Sequence, residues 1–412
     1  MKLANKVLQL ILILFILSST SCNTKREYEL NKDENYRHLT SNIQSIYGDS
    51  LLTGFGIGVI KNGKIAFLEG FGLANIKQEK SYTPHTIQNI GSVSKLIIGV
   101  AVVKAIEMGL FNLDSNINDL LPFEVSHRYL KDSRITVRHL VTHTSTINDS
   151  EMFWNNTYFT KDTLHSGLGL EYLKETLNIN YGKPLTLGSF LKEYFSPSGQ
   201  FYSPQNFNAS RSGFRYKFTN AGSSLAAYII ENVSGIPFHE FCKQHIFDPM
   251  KMNNTSWVKE NLNQKLIATL YLTKEYPLPQ YNSASYPDGG LNTTIEDMTL
   301  LLFEIMKGYR GTSKFMKYES FQLLLNKQFT NGPANMDVGT NTGVFWDWSV
   351  DGRIGHNGGD PGTFTMFGFD PVRNTGSILF INQEIYNSKE RKQLLSNIQK
   401  IIGLMNKFEK GL

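Results

Sequence analysis

Strand patterns lie at both ends of this sequence, and helical patterns fill the region between them. Near the start, residues 56–60 and 64–68 flank Asn62-Gly63, a dipeptide typical of a tight hairpin turn. Near the end, residues 344–348, 364–369 and 376–382 are rich in β-branched and aromatic side chains. The pattern predicts an α+β fold with one antiparallel sheet built from both chain ends and flanked by helices.

The region between the two sets of strands predicts an inserted, mostly helical lobe. We expect a single domain over residues 36–412, with a sheet lobe at about 36–90 and 285–412 and a helical lobe at about 91–284. Helical periodicity is found at 36–47, 113–122, 136–145, 221–232 and 389–408. Residues 148–181 are polar and aromatic, and their length is that of a loop that could control substrate access.

The first residues resemble an export signal. Lys2 and Lys6 precede an apolar run at 7–17, which is short for a membrane span. Small residues then lead to Cys22, as at the lipidated cysteine of bacterial lipoproteins. We therefore expect a signal peptide at 1–21, a lipidated tether at 22–35, and a periplasmic or cell-surface lipoprotein anchored to the membrane. The alternative is an ordinary signal peptide with an incidental cysteine.

Charge and metal-binding patterns narrow the function classes. The formal net charge is +5 without a basic block, so no nucleic-acid partner is expected. His139 and His143 have the spacing of a zinc helix, but Leu140 stands where a metalloprotease of that type needs glutamate. We interpret both histidines as structural and expect no metal and no cofactor. A zinc hydrolase that uses them is a distant alternative.

The tetrad Ser92-x-x-Lys95 is the strongest candidate for chemistry. If a helix begins near Ser92, the hydroxyl and the amine share one helix face, and a lysine with a lowered pKa can accept the serine proton. The spacing also occurs at Ser189 and Ser256, but only Ser92 precedes a long apolar helix, residues 96–106. The tetrad alone fits a helix-capping serine with a solvated lysine better than it fits a nucleophile.

Several motifs occur in one order along the chain. They are the glycine-rich hairpin and the segments 90–95, 107–109, 135–145, 247–252, 289–298 and 355–362. Together they resemble the serine β-lactamase-related hydrolases, which comprise class C β-lactamases, D-alanyl-D-alanine carboxypeptidases and related esterases. The resemblance covers nearly the whole mature chain and implies a β-lactamase/transpeptidase-like fold.

The resemblance also implies roles for individual residues. Ser92 would be the nucleophile and Lys95 its base, with Asn220 bonding lysine and substrate. His356 would line the site, Gly358 would let substrate approach the strand, and the Gly359 amide would complete an oxyanion hole with the Ser92 amide. The implied reaction passes through an acyl-enzyme on a small ester, a D-amino-acid peptide or a β-lactam.

The second family motif departs from the pattern. The family tyrosine that helps to move protons is Phe218 here, and Tyr216 lies two residues earlier. Three interpretations stay open: Lys95 acts alone, Tyr216 reaches the site after a local bend, or the site is weak or dead. The rival function is accordingly that of a weak or inactive relative that binds peptidoglycan or another ligand.

Overall fold

The computed structural model of the chain describes residues 30–127, 129, 134–161 and 167–412. The predicted signal peptide, Cys22 and most of the predicted tether lie outside the described residues. Residues 32–412 form one compact unit. Within the described ranges, no helix combines the length and the apolar character that crossing a bilayer requires.

The centre of the fold is an eight-stranded antiparallel sheet. Its strands come from residues 54–81 and 341–381, so the prediction of one sheet built from both chain ends is confirmed. The fifteen strands of the described residues are β1 Gly54–Lys61, β2 Lys64–Asn75, β3 Lys80–Ser81, β4 Ile87–Asn89, β5 Tyr158–Thr160, β6 Asn180–Tyr181, β7 Tyr271–Thr273, β8 Tyr276–Pro277, β9 Asn282–Ser283, β10 Asn292–Thr294, β11 Asn341–Thr342, β12 Asp347–Trp348, β13 Ile354–Asp360, β14 Thr363–Asp370 and β15 Thr375–Ile381. The order of the strands in the sheet is β11-β12-β13-β14-β15-β1-β2-β3.

Eleven α-helices in the described residues complete the α+β fold. They are α1 Glu34–Gly48, α2 Ser94–Glu107, α3 Val137–Val141, α4 Glu151–Thr157, α5 Leu168–Leu177, α6 Leu187–Phe195, α7 Asn220–Ser234, α8 Phe238–Cys242, α9 Ile295–Tyr309, α10 Tyr318–Leu325 and α11 Arg391–Lys410. Helix α2 is buried from Ser94 to Val103, so it forms the centre of the helical lobe. A helix with apolar side chains on all of its faces is typical of a buried core position.

Helices cover both faces of the sheet. On one face α9 packs against β1, where Gly58 has no side chain and an added Cβ would lie 2.2 Å from Thr299 Oγ1. On the other face Phe67 of β2 contacts Tyr36 of α1 and Phe408 of α11 at centroid distances of 4.6 and 5.9 Å. The sheet is therefore a buried layer between helices, and aromatic packing fixes its helices in place.

The predicted β1–β2 hairpin is confirmed. The strands pair from Gly54↔Gly72 to Lys61↔Lys64, and the turn residues Asn62 and Gly63 have φ of 52° and 67°. Two consecutive positive φ angles are the requirement of a type I′ turn, which explains the Asn-Gly dipeptide.

Several local predictions were wrong. The expected strand at 344–348 is reduced to Asp347–Trp348, because Phe345 has a left-handed φ of 58° that breaks extended backbone. The expected helix at 113–122 is only a 3-10 turn, Ile117–Asp119. The expected helix at 136–145 ends at Val141, because Thr142 and His143 leave helical geometry.

The expected loop at 148–181 is largely regular structure. It contains α4, β5, α5 and β6, and β5 pairs with both β6 and β9. Leu173 and Leu177 of α5 pack in a cluster with Leu278 and Tyr281. This segment is therefore held to the body of the protein by its own small core.

Candidate active site

Ser92 lies in a sharp turn at the start of the buried helix α2. The 3-10 turn Gly91–Val93 runs directly into α2, and Gly91 has a φ of 53°. Asn89 Oδ1 accepts a hydrogen bond of 2.7 Å from the Gly91 amide, which fixes the turn. Ser92 is partly exposed, whereas both of its neighbours are buried. The turn therefore presents one hydroxyl to solvent at the N-terminus of a helix.

Lys95 lies beneath this serine and is fully buried. Its Nζ is 3.2 Å from Ser92 Oγ, 2.7 Å from Asn220 Oδ1 and 2.8 Å from the carbonyl oxygen of Asp288. Burial lowers the pKa of Lys95, and the carboxylates of Asp288, Asp149, Asp360 and Asp347 partly oppose that shift. The structure thus brings the predicted nucleophile, base and asparagine together.

Asp149 orients Asn220, and sequence reasoning did not identify it. Its carboxylate accepts hydrogen bonds from the Asn220 and Ala221 amides at 2.8 and 2.9 Å, from Thr219 Oγ1 at 2.7 Å and from Asn220 Nδ2 at 3.0 Å. Because Nδ2 donates to this carboxylate, Asn220 Oδ1 faces Lys95. The acid comes from a loop 71 residues upstream, so no local spacing signalled this cap.

Phe218 is the residue that the family resemblance assigns to the position of the motif tyrosine. Lys95 Nζ is 4.8 Å from its ring centroid, and the ring also packs against His143 at 4.7 Å. The site therefore has an aromatic face beside the lysine, but no hydroxyl at this position. Burial raises the pKa of Tyr216, whose ring packs edge-on against His143 at 6.0 Å. Among the described residues, no hydrogen bond links Tyr216 to Ser92 or Lys95.

The two glycines after His356-Asn357 bring β13 against the turn Gly91–Val93, which is called the serine turn below. A Cβ added at Gly358 would lie 2.5 Å from the Ile90 carbonyl oxygen and 3.0 Å from the Val93 nitrogen. A Cβ added at Gly91 would lie 2.9 Å from the backbone of Gly359. These contacts require glycine and hold the Gly359 backbone next to that of the turn.

His356 packs against Phe218, with a distance of 5.9 Å between the ring centroids. Its side chain is 8% exposed, and Nε2 lies 3.8 Å from Asp347 Oδ2. Burial lowers the pKa of His356, Lys95 adds to that effect, and Asp347 opposes it. In the part of the chain that the structure describes, Nε2 has no hydrogen-bond partner. The charged group nearest to this nitrogen is thus the Asp347 carboxylate, which would stabilise a protonated imidazole.

Two further carboxyl groups close to Lys95 were missed by sequence reasoning. Asp288 Oδ2 accepts a hydrogen bond of 2.8 Å from Ser224 Oγ, and burial raises the pKa of Asp288 to about 6. Asp360 directly follows Gly359, and its Oδ1 accepts a hydrogen bond of 2.9 Å from Tyr158. Burial raises the pKa of Asp360 to about 7. Asp288 directly precedes the segment 289–298 and Asp360 lies within 355–362, but the raised pKa that distinguishes them depends on packing by distant segments, which has no sequence signature.

The two histidines with zinc-like spacing are used in packing. His139 Nδ1 accepts a hydrogen bond of 3.1 Å from the Thr136 amide and caps α3. His143 is buried between Phe218 and Phe345, and burial lowers its pKa. Across the described ranges, no group of three or more potential metal-binding side chains is found.

Similarity to known proteins agrees with this geometry. The sequence model of the family described as Beta-lactamase matches residues 39–397. The putative penicillin-binding protein PbpX of Bacillus subtilis is 26% identical over 201 residues, 49% of this chain and 40% of the relative. The chain thus spans less than half the length of that relative.

Solved structures of penicillin-binding proteins have the same fold. The octameric penicillin-binding protein homologue from Pyrococcus abyssi superimposes with a TM-score of 0.67 at 22% identity, over 89% of this chain and 77% of the homologue. The penicillin-binding protein from Bacillus halodurans gives a TM-score of 0.63 at 22% identity, over 87% and 98%. The family match covers most of the chain and supports a serine hydrolase-type function in general. The chain belongs to the Beta-lactamase family, with the β-lactamase/penicillin-binding-protein fold.

Proposed function

We propose that this protein is an exported serine hydrolase that forms an acyl-enzyme on Ser92, with Lys95 as the base. The observation that carries the proposal is the set of contacts of Lys95 Nζ. Two of its three partners, Asn220 Oδ1 and the Asp288 carbonyl, can only accept hydrogen bonds, whereas the third is the Ser92 hydroxyl.

This arrangement directs the lone pair of a neutral Lys95. A neutral amine has two N–H groups and one lone pair, and the two carbonyl oxygens occupy both N–H groups. The lone pair is then left for the Ser92 proton, 3.2 Å away between heavy atoms. Burial favours the neutral amine because it lowers the pKa of Lys95.

The proposed reaction has two halves. Ser92 Oγ attacks a carbonyl carbon and its proton moves to Lys95, while the oxyanion binds the amides of Ser92 and Gly359. Collapse of the tetrahedral intermediate expels the leaving group, which takes the proton from Lys95. Water then attacks the acyl-enzyme, Lys95 accepts one water proton and returns it to Ser92 Oγ, and the acid product leaves.

The substrate class proposed is a small ester, a D-amino-acid peptide or a β-lactam. The names of similar proteins point to penicillin binding, and that ligand is carried over to this chain as part of the proposal. We also propose a single hydrolase domain at 36–412 and membrane attachment through Cys22, on the sequence pattern of the first residues.

A second candidate function is that of a slow or inactive relative that binds a peptidoglycan-type ligand. The observation that favours it is the Phe218 ring over Lys95 Nζ at 4.8 Å, where a hydroxyl would otherwise relay protons. Loss of such a relay costs roughly 100- to 10,000-fold in rate. The two candidates share one binding site and differ in turnover.

Labelling with a fluorescent fluorophosphonate tests the hydrolase proposal. The expected result is stoichiometric labelling of the wild type and none of Ser92→Ala. Ser189→Ala is the matched control, because Ser189 has the same spacing to Lys192 but lies in the first turn of the surface helix α6. Absence of labelling in folded wild-type protein, with a bound penicillin still detectable by calorimetry, would favour the binding protein.

A further inference from the structure

A cavity of about 360 Å³ adjoins the proposed catalytic site at the far end of β13 from His356. Its wall includes Asn89, which fixes the serine turn, and Asp360, which follows Gly359. Asn89 also donates a hydrogen bond of 3.0 Å to the Gly289 carbonyl, so this wall is continuous with the Lys95 site. A substrate whose reacting carbonyl group lies at Ser92 can therefore extend another part of its structure into the cavity.

Lys259 is the distinctive residue of this cavity. It is partly buried, its Nζ donates one hydrogen bond of 2.9 Å to the Tyr281 carbonyl, and the same Nζ lies 5.9 Å from the centroid of the Tyr281 ring. Within the described residues, its ammonium has no other hydrogen bond and no ion pair. An ammonium group has three N–H donors, so two of them are left for a ligand or for water, and a ligand that excludes water from the cavity must satisfy them.

We propose that this cavity is a subsite for a carboxylate group of the substrate, with Lys259 as its cation. The inference rests on the proposed acyl transfer at Ser92, because it assigns the cavity to the same substrate. The other lysines of the wall do not compete, since Lys161 pairs with Glu260 at 3.6 Å and Lys183 is exposed. Among the described residues of this wall, Lys259 is therefore the partly buried lysine, and one such cation matches one anionic group.

The remaining wall fits a singly charged group on a carbon chain. Trp257, Tyr281 and Tyr286 provide ring surface on which methylene groups can pack. Asp360 faces the same space, so a phosphate dianion would meet a carboxyl group as well as the lysine. Burial raises the pKa of Asp360 to about 7. Near neutral pH this carboxyl group is therefore only partly ionised, and it only partly neutralises the charge of Lys259. These properties favour a monoanionic carboxylate over a phosphate.

Calorimetry on the full-length chain tests the subsite without any catalytic step. The ligands are monoamides of straight-chain diacids, which carry one carboxylate, and the matching neutral diamides, each over a range of chain lengths. At the best length we expect the monoamide to bind about 10- to 100-fold more tightly than the diamide, as for hydrogen bonds to charged groups. In Lys259→Met this preference should fall below about twofold.

Lys61→Met is the matched control. Lys61 has the same type of environment, with its Nζ 2.9 Å from the Phe408 carbonyl and 5.6 Å from that ring, but it lies on β1 away from the cavity. It should keep the wild-type preference. A wild type that binds monoamide and diamide equally, or a folded Lys259→Met that keeps the full preference, would overturn the subsite. A phosphate analogue that binds more tightly than the carboxylate and depends on Lys259 would overturn the carboxylate assignment.

Fluorophosphonate labelling of the same samples separates the two proposals. Labelled Ser92 without carboxylate preference removes the subsite and leaves the hydrolase. If the protein prefers the carboxylate ligand but Ser92 is not labelled, the subsite stands as a ligand-binding feature and the hydrolase proposal is overturned.

Discussion

The substitution Gly358→Ala tests the contact between β13 and the serine turn. The added methyl group would lie 2.3 Å from Thr365 Oγ1, 2.5 Å from the Ile90 carbonyl oxygen and 3.0 Å from the Val93 nitrogen, whereas ordinary contacts begin at 3.4 Å. Relief of the contact with the Ile90 carbonyl alone requires a displacement of about 1 Å between strand and turn. A displacement of that size costs about 100-fold in rate, and loss of one oxyanion donor costs 100- to 1,000-fold. We therefore expect acylation to fall by about 100-fold or more.

The assay is the second-order rate of Ser92 acylation by a fluorescent penicillin, with the melting temperature as the measure of folding. Overpacking typically costs about 1–3 kcal/mol of stability, so the variant should remain folded at a lower melting temperature. Gly403→Ala is the control, because a Cβ at this position in α11 has no neighbour within 4 Å. A folded Gly358→Ala protein that acylates within twofold of wild type would refute the reasoning.

Three other predictions follow from the contacts around Lys95. The acylation rate should rise with pH, with the midpoint of the rise below the ordinary lysine pKa of 10.5, because only the neutral amine accepts a proton. Asp288→Asn should lower the pH of that midpoint, because it removes a carboxylate that favours the charged form of Lys95. A midpoint that does not move would contradict this effect of Asp288. Asp149→Ala should lower both the stability of the protein and its acylation rate, because four hydrogen bonds at the start of α7 are lost. Urea unfolding should show that the free energy of unfolding falls by at least about 2 kcal/mol. An unchanged free energy of unfolding would contradict the capping role. Phe218→Tyr should raise the acylation rate, by up to about 100-fold, by restoring a hydroxyl beside Lys95; stopped-flow measurement of an equal or lower rate would show that the lysine works alone.

The proximity of Ser92 and Lys95 could be predicted because it depends on local spacing, whereas their proposed roles as nucleophile and base came from the family resemblance. Ser92 and Lys95 lie one helical turn apart, and the apolar run that follows distinguishes them from the tetrads at Ser189 and Ser256. The sheet could be predicted for a similar reason. The strand-like segments at both chain ends are recognisable locally, and each strand needs neighbouring strands to satisfy its backbone hydrogen bonds. Resemblance to a family then placed Asn220 and the β13 glycines.

The environment of the pair could not be predicted, because it depends on contacts between distant segments. Lys95 contacts Asn220 and Asp288, which lie 125 and 193 residues away in sequence. Asp149 caps a helix from a separate loop, so its role has no capping signature of the usual spacing. The helices within 148–181 were missed because short segments are stabilised by packing against neighbours more than by their own periodicity.

Intact-mass spectrometry of the protein after brief exposure to a penicillin tests the central claim most directly. The account predicts one covalent adduct per chain, located by peptide mapping on the segment that contains Ser92. It also predicts that the adduct is absent in Ser92→Ala, strongly slowed in Lys95→Met and unchanged in Ser189→Ala. An adduct on another residue, or equal adduct formation in the Lys95→Met protein, would contradict Ser92 as the nucleophile or Lys95 as its base.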